Sequence, residues 1–525
     1  MSNEAVVLSR TSLGIEFGST RIKAVLIDEH HNILAQGGYS WSSCQTNGHW
    51  SYPLEQVHTG LQQAYAELRE DFSARYQTPL TTVGTIGISA MMHGYLPFNA
   101  AGQQICEFRT WQNTTTQQAS DDLCELLSCN IPLRWSIAHL DQAILNEEAH
   151  VKELSFLTTL AGYVHWRLTG EKVLGVGDAS GMFPVDSETK DYDAHRVALY
   201  NERIAPKNLG WTLTDILPRV LCAGEEAGRL TDEGAKLLDP TGTLQPGARF
   251  APPEGDAGTG MTATNAVSPR TGNISAGTSI FSMVVLEKAL KNFYRELDMV
   301  TTPDGAPVAM VHCNNGTLEM NKWVGLFKQA LSLCGCSVSD DELYLALFRE
   351  SLNAKDLCGG MISYNFVAGE PVVGLADSAP VIVRDAHQNF TLADFVRSQL
   401  YGCYSALCLG MKLLENENVK LDRMTVHGGL FRTPVIPQRY LASALNVPVD
   451  VLASAGEGGA YGMALLGAFL LFSEGKTLPE YLEQNVFSAQ EQVREQPDAA
   501  LYADFTAYLN EYQKNLPVPQ AFAAI

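Results

Sequence analysis

The sequence lacks most of the features that mark metal-binding, secreted and membrane proteins. Its eleven cysteines contain no CxxC pair, so neither a zinc site nor a redox pair is indicated, and their odd number fits a reducing cytosol. The longest apolar run, residues 461–472, is too short to span a bilayer. Residues 1–12 lack the basic and apolar regions of a secretion signal. The sequence therefore predicts a cytoplasmic protein without a membrane span.

Positive charge is also scarce. The chain has 36 lysines and arginines against 58 aspartates and glutamates, a net charge of −22, and such a surface repels nucleic acid and anionic membranes. A phosphate ligand would therefore be bound locally, by backbone N–H groups in glycine turns and at helix starts. The dinucleotide pattern GxGxxG between a strand and a helix is missing as well, which disfavours a dehydrogenase.

The length of 525 residues predicts more than one domain, and the content of 46% hydrophobic and 18% charged residues is that of a folded protein. A stretch rich in proline and glycine, residues 239–255, marks an irregular connection. We place the domain boundary shortly after it. The predicted domains span residues 1–265 and 266–525.

The apolar pattern alternates between strand and helix spacing, which predicts an α/β fold. Residues 13–38 are predicted to form three antiparallel strands, followed by a helix over residues 53–74 and a strand over residues 83–89. The second half opens in the same way, with a strand, a loop and a strand over residues 271–288. Apolar stripes at helical spacing predict two core helices, over residues 323–333 and 400–414.

Two glycine turns follow strands at corresponding places in the two predicted domains. Each offers backbone N–H groups and hydroxyls to a phosphate, and Lys23 follows the first turn. Each turn alone is also explained as an ordinary hairpin, whereas their recurrence favours a shared phosphate clamp. The candidate residues are Gly18, Ser19 and Thr20 in the first turn, and Gly277, Thr278 and Ser279 in the second.

Asp256 lies in the segment GDAGTG, where the glycines would let a ligand approach closely. An aspartate in such a place commonly caps a turn or a helix. It is equally a candidate general base, which would accept the proton of a sugar hydroxyl as that oxygen attacks phosphorus.

Two segments combine an apolar surface with hydrogen-bonding groups, as sugar-binding sites do. A histidine after a strand and a lone tryptophan are often structural residues, so this alternative stays open. The candidate sugar-binding residues are Met92, His93 and Gly94, and Trp111, Gln112 and Asn113.

A third kind of turn could hold a nucleotide base. Gly428 and Gly429 lie between a predicted strand and a predicted helix, where a flat base could rest against the backbone. Arg432 and Gln438 follow on the same connection. A plain strand-to-helix turn is the alternative.

Taken in this order, the segments resemble the FGGY family of carbohydrate kinases, from about residue 13 to residue 468. GIEFGSTRIK and SAGTS are similar to the two phosphate motifs of the family, and VHGGLFRTP and AGEGGAYGMALLGA to its adenosine motif and the following helix. The resemblance implies two actin-like (ribonuclease H-like) ATPase domains, α/β with mixed sheets flanked by helices, and a ligand cleft between them. It also implies ATP and Mg²⁺ as cofactors, Asp256 as the catalytic base and Met92 to Gly94 as a sugar contact.

The sequence departs from the family pattern at two positions. Glu16 stands where the family has an aspartate near the magnesium, and the longer carboxylate is expected to act on the metal site through water. Asn113 stands where the family has an acid, and the arginine that follows it in the family is absent. The second departure weakens the transfer of substrate identity, since an amide both donates and accepts hydrogen bonds.

The expected function is therefore ATP-dependent phosphorylation of a small sugar. A ketopentose such as xylulose ranks ahead of ribulose or another polyol. A nucleotide-binding sugar sensor without kinase turnover is the alternative from another class. The expected partners are the sugar and ATP, and the oligomeric state stays open, with a homodimer among the alternatives.

Overall fold

The computed structural model describes residues 6–433, 435–452 and 458–523. The chain divides into two compact units. The first comprises Met1–Val267, Met299–Val308 and Glu457–Ala489, and the second comprises Ser268–Asp298, Ala309–Gly456 and Gln490–Ile525. Two segments that follow residue 267 in the sequence thus belong to the first unit. Within the described residues, no helix is both long and apolar enough to cross a membrane.

The strands, with short 3-10 turns left unlabelled, are β1 (Ser12–Phe17), β2 (Arg21–Ile27), β3 (Ile33–Ser40), β4 (Cys44–Thr46), β5 (His49–Ser51), β6 (Thr85–Ala90), β7 (Leu96–Phe98), β8 (Phe156–Thr158), β9 (Val173–Gly175), β10 (Val185–Asp186), β11 (Asp191–Tyr192), β12 (Arg219–Leu221), β13 (Arg249–Phe250), β14 (Glu254–Gly255), β15 (Thr271–Ala276), β16 (Ile280–Val285), β17 (Leu297–Thr301), β18 (Pro307–Cys313), β19 (Met361–Tyr364), β20 (Val381–Arg384), β21 (Arg423–His427), β22 (Val449–Leu452) and β23 (Gln492–Glu495).

The α-helices are α1 (Leu54–Tyr76), α2 (Gln117–Leu127), α3 (Ser136–Leu145), α4 (Leu160–Thr169), α5 (Val176–Ala179), α6 (Ala194–Ile204), α7 (Leu213–Ile216), α8 (Asp232–Leu238), α9 (Asp256–Ala263), α10 (Leu318–Leu333), α11 (Asp340–Ser351), α12 (Leu392–Asn416), α13 (Ile436–Leu445), α14 (Gly458–Phe472), α15 (Leu478–Tyr481), α16 (Ala499–Lys514) and α17 (Pro517–Ala523).

The first unit is built on a mixed sheet with the strand order β13-β6-β1-β2-β3, in which β14 also pairs with β6. The antiparallel arrangement of β1, β2 and β3 confirms the predicted meander, and α1 and β6 confirm the predicted helix and strand. Strands β13, β14 and β1 all run parallel to β6. The carboxyl ends of β1, β6 and β14 therefore meet at one edge of the sheet.

Helices cover both faces of this sheet. The buried face of α1, with Val57, Leu61 and Leu68, packs on the meander. Helix α14, from far along the chain, packs on β1, and it lies so close that a Cβ on Gly14 would clash with the backbone of the helix. Burying these apolar surfaces is the main stabilising contribution to the unit.

The second unit has a sheet with the order β17-β18-β16-β15-β21-β22-β23. Strands β15 and β16 form the predicted strand, loop and strand and are antiparallel. Strands β21 and β22 extend the sheet in parallel with β15. The carboxyl ends of β15 and β21 thus lie side by side.

Of the two helices of the second unit that were predicted to lie in the core, one is buried and the other is not, so the second prediction is wrong. Helix α12 is buried over most of its length, as expected. Helix α10 buries only Met320 and Val324 among its sixteen residues, while Leu326 and Leu333 are 50% and 90% exposed. Apolar periodicity identifies the face of a helix but not what covers it.

Candidate active site

Three predicted functional segments meet at the carboxyl edge of the first sheet. Phe17, the last residue of β1, pairs with Ala90 of β6, and Ala90 pairs with Gly255 of β14. The residues after these three strand ends are the loop from Gly18 to Thr20, the turn around His93, and Asp256. In open α/β sheets this edge is where ligands bind.

The first glycine loop is anchored through its carbonyl groups. Indole Nε1 of Trp41 donates to the carbonyl of Gly18 at 2.6 Å, and the hydroxyl of Tyr52 donates to that of Ser19 at 2.6 Å. The backbone N–H of Trp41 donates to the carbonyl of Thr20 at 3.1 Å. All three carbonyl oxygens of the loop are thus occupied by protein donors, which suits a loop that is to face an anion.

Asp256 is the first residue of α9 and its side chain reaches solvent. Crowding by protein atoms and, to a lesser extent, the negative charge of Glu16 together raise the pKa of Asp256 to about 7. A backbone N–H bond from Met92 acts in the opposite direction. A carboxyl group with a pKa near neutrality is suited to accept a proton from a hydroxyl.

Glu16 lies on β1 opposite Lys23 of β2. Burial raises the pKa of Glu16, whereas the charge of Lys23 and the backbone N–H groups of Ala460 and Gly459 lower it. The N–H of Ala460 donates to Oε2 of Glu16 at 3.3 Å, and a Cβ on Gly459 would lie 2.5 Å from Oε1. The glycine therefore lets the first turn of α14 close on the carboxylate.

The chemistry of these groups fits a magnesium ion. Magnesium prefers oxygen ligands and keeps several of its waters, and the carboxylates of Glu16 and Asp256 lie close enough to interact electrostatically. In the described part of the chain, no three or more His, Cys, Asp or Glu side chains form a group that could hold a metal. A role of Glu16 at a magnesium site stays a prediction.

The predicted sugar turn is tightly held. His93 and Gly94 both have positive φ, 69° and 89°, and Nδ1 of His93 lies 3.0 Å from the carbonyl oxygen of Gly181. The imidazole stacks on the ring of Trp135 at 6.1 Å between centroids. The turn therefore holds Met92 and His93 in a fixed conformation, and the backbone N–H of Met92 donates to Asp256.

Two buried acids behind Asp256 were missed by the sequence analysis. Asp178 accepts the hydroxyl of Thr159 at 2.6 Å, and its backbone N–H donates to Oε2 of Glu254 at 2.9 Å. Burial raises the pKa of Asp178 to about 7 and that of Glu254 to about 8. The small residues around Asp178, in GVGDASG, are the one sequence feature that could have indicated its close packing.

This buried acid pair predicts an unusual pH dependence of stability. Both folded-state pKa values are raised above those of the unfolded chain, so the folded protein binds more protons between about pH 4.5 and 7. The free energy of unfolding should therefore fall as the pH rises through this window, by up to about 1.4 kcal/mol per pH unit for each group. Asp178→Asn should flatten this slope in denaturant unfolding curves recorded from pH 4.5 to 8.

Glu125→Gln, which changes an exposed acid on α2, serves as the matched control and should leave the slope as in the parent protein. Equal slopes for Asp178→Asn and the parent would contradict the assignment of a proton to the buried pair.

The segment from Trp111 to Asn113 divides into an exposed and a buried part. Trp111 is 41% exposed. The amide of Asn113 is buried and bonds to the backbone, accepting from the N–H of Trp50 at 2.8 Å and donating to the carbonyls of Trp50 and Thr110 at 2.9 and 3.0 Å. Asn113 thus stabilises the turn that carries the exposed Trp111 and the half-buried Gln112, and its contact with a sugar stays a prediction.

The second unit brings its own glycine turns together. Gly277 to Ser279 follow β15, and Gly428 follows β21, whose last residue His427 pairs with Ser275. Gly428 has φ of 107°, and a Cβ there would clash with the backbone of Ala276. The predicted second phosphate loop and the predicted adenosine turn therefore lie side by side.

The remaining predicted nucleotide contacts differ in exposure. Arg432 is exposed at the end of the 3-10 turn that starts at Gly429. Gln438 is buried, and its Nε2 donates at 2.7 Å to the carbonyls of Val449 and Val493. Gln438 thus joins the last strands of the sheet, and a nucleotide contact by it stays a prediction. Residue 434, the last of the segment VHGGLFRTP, lies outside the described residues. So do residues 453–457, which include the start of the segment AGEGGAYGMALLGA.

Each unit thus places a glycine loop at the carboxyl edge of a mixed sheet, and the first unit adds a carboxylate with a pKa near 7. These features agree with the class of two-domain α/β phosphotransferases. Residues 11–242 match the N-terminal domain, and residues 272–471 the C-terminal domain, of the FGGY family of carbohydrate kinases. The chain belongs to this family and has its actin-like ATPase fold.

Solved structures agree with the fold. The chain is similar to a xylulose kinase from Rhodospirillum rubrum, with a TM-score of 0.79 and 15% identity over 98% of this chain and 100% of the other. It is similar to a gluconate kinase from Lactobacillus acidophilus, with a TM-score of 0.80 and 14% identity over 98% of this chain and 99% of the other. It is also similar to a Plasmodium falciparum glycerol kinase with ADP, with a TM-score of 0.75 and 14% identity over 96% of this chain and 98% of the other. Among curated proteins, none matches the sequence.

Family membership establishes the reaction class. FGGY proteins are phosphotransferases that act on sugar hydroxyls and use ATP as the phosphate donor. The chain is accordingly a carbohydrate kinase. The identities of 14–15% to the solved structures support the fold and leave the sugar to be determined.

Proposed function

We propose that the protein transfers the terminal phosphoryl group of ATP to a hydroxyl of a small ketose, a ketopentose such as xylulose, with Asp256 as the general base. The observation that carries the proposal is the meeting of Asp256, the turn at His93 and the first glycine loop at the ends of three parallel strands. Phosphoryl transfer to a sugar requires a sugar-binding site, a base and a phosphate-binding loop close together.

The chemistry divides between the residues as follows. The turn of Met92 and His93, with the exposed ring of Trp111, holds the sugar. The ionised carboxylate of Asp256 accepts the proton of the attacking hydroxyl as that oxygen bonds to phosphorus. The loops at Gly18 and Gly277 hold the phosphates through backbone N–H groups.

A magnesium ion, when bound, neutralises charge on the phosphate oxygens. Glu16 would hold it, and Lys23 would offset the negative charge of Glu16 in the absence of the ion. Because phosphoryl transfer needs mainly positioning and charge stabilisation, these fixed groups contribute more than covalent chemistry.

Asp256→Asn should lower kcat by about 10²-fold or more while leaving ATP binding nearly unchanged, since the amide keeps the shape of the side chain but accepts no proton. ADP release with saturating sugar measures the first effect, and calorimetric titration with ATP the second. Asp232→Asn, at an exposed position on α8, is the matched control with parental activity. Parental turnover in Asp256→Asn would remove Asp256 as the base.

The pKa of Asp256 predicts the pH profile. Only the ionised carboxylate accepts a proton, so kcat/KM for the sugar should rise tenfold per pH unit up to about pH 7 and then level off. Glu16→Gln removes a negative charge that raises this pKa, and should move the rising limb to lower pH. A profile that is flat from pH 5.5 to 8 would exclude Asp256 as the titrating group.

The choice of xylulose rests on the likeness of the turn at Met92 to that of xylulose kinases. Among solved structures similar to this chain are kinases named for xylulose, gluconate and glycerol, so ribulose, which is also a ketopentose, and the polyols are the competing substrates. Asn113, whose amide is bound to the backbone, gives no support for either sugar.

A substrate panel tests the choice. ADP release is followed with Mg-ATP and ketopentoses, ketohexoses, polyols and aldonates, and a ketopentose should give the highest kcat/KM, with xylulose ahead of ribulose. A higher value with a polyol or an aldonate would overturn the ketopentose assignment but keep the kinase. Nucleotide binding without turnover of any sugar would instead favour the sensor.

A further inference from the structure

The second glycine loop is held by the segment just before α10. The backbone N–H and the hydroxyl of Thr317 both donate to the carbonyl of Gly277, each at 2.9 Å. The N–H of Gly316 donates to the carbonyl of Thr278 at 2.8 Å. Two carbonyl oxygens of the loop are therefore occupied by donors from residues 316–317.

The contact is closely packed. A Cβ on Gly316 would lie 2.5 Å from the carbonyl oxygen of Gly277 and 2.7 Å from the carbonyl group of Ser279. Both distances are shorter than real Cβ contacts. Only glycine at position 316 lets the two segments approach to hydrogen-bonding distance.

The orientation of the Thr317 hydroxyl is fixed by a further hydrogen bond. It accepts a bond from Nδ2 of Asn321 at 3.3 Å, and Oδ1 of Asn321 accepts the hydroxyl of Tyr344 at 2.7 Å. Because the hydroxyl accepts from Asn321, its single proton is directed to the carbonyl of Gly277. The side chain of Thr317 is therefore set to donate to the loop.

The residue before this pair is fixed in the interior. Oε2 of the buried Glu370 accepts from the backbone N–H and from Nδ2 of Asn315, at 3.2 and 3.0 Å. Oδ1 of Asn315 accepts from the N–H groups of Val367 and Ala368 at 2.7 and 3.1 Å. The segment that holds the loop is thus itself held by buried bonds.

We infer that Thr317 is a positioning residue for the second phosphate loop: its hydroxyl and N–H keep the carbonyl of Gly277 turned away from the nucleotide phosphates. The inference rests on the proposed function of residues 277–279 as phosphate ligands. Without the hydroxyl, only the backbone N–H of residue 317 still holds this carbonyl oxygen. The oxygen can then turn toward the phosphates more easily, and its partial negative charge would weaken their binding.

The test compares Thr317→Val, which replaces the hydroxyl by a methyl of similar size, with Thr317→Ser, which keeps the hydroxyl. Thr317→Val should raise KM for ATP about five- to tenfold, the effect of about one hydrogen bond, and should leave KM for the sugar within about twofold. Thr317→Ser should restore the parental KM for ATP. Calorimetric titration with ATP should show the same order of affinities.

Thr391→Val is the matched control, because Thr391 caps α12 through a bond to the N–H of Asp394. It should lower the melting temperature without a selective change in KM for ATP. An unchanged KM for ATP in Thr317→Val, or equal rises in both KM values that follow the melting temperature, would overturn the inference.

Failure of the proposed function gives a different result. A parent protein that binds ATP without phosphorylating any sugar refutes the kinase assignment, whereas weaker ATP binding by Thr317→Val in the same assay still supports the inference. A parent protein that binds no ATP refutes both.

Discussion

The parallel pairing of β1, β6 and β14 is the constraint on which the candidate site depends. Phe17, Ala90 and Gly255 lie in one row across the three strands, so the loop, the turn and the aspartate that follow them emerge together. A shift of one residue in this register would turn side chains to the opposite face and move Asp256 away. Strand β14 has only two residues, and the backbone bonds accepted by Glu254 help to keep it in place.

Much of the local structure follows from the sequence, because alternation and helical spacing depend on neighbouring residues. The meander, α1, β6 and the strand pair around Gly277 were all predictable in this way. The position of α14 was not, since its pattern shows a helix but not that the helix returns to the first unit and brings Ala460 to Glu16. The exposure of α10 was missed for the same reason.

The polar residues of the site also show that a local sequence pattern does not reveal contacts between distant residues. Asp256 stands among glycines, a local feature, and could be selected from the sequence. Asp178 was harder to select, because its partner Glu254 is 76 residues away, and the small residues around Asp178 indicate close packing but not a buried acid. The amides of Asn113 and Gln438 were candidates for ligand contacts, yet they bond to backbone groups of Trp50 and Val449, which only the fold brings near.

The two glycine loops share one feature that suits the proposed binding of an anion by an acidic protein. Net charge opposes the approach of ATP, and a carbonyl oxygen facing the phosphates would add to the repulsion. In the first loop, Trp41 and Tyr52 occupy the carbonyls, and in the second, Gly316 and Thr317 do so. The donors differ in type and in position along the chain, so the recurring feature is the occupied carbonyl. With its carbonyl oxygens occupied in this way, each loop leaves fewer acceptor groups to repel a phosphate than a hairpin with free carbonyls would.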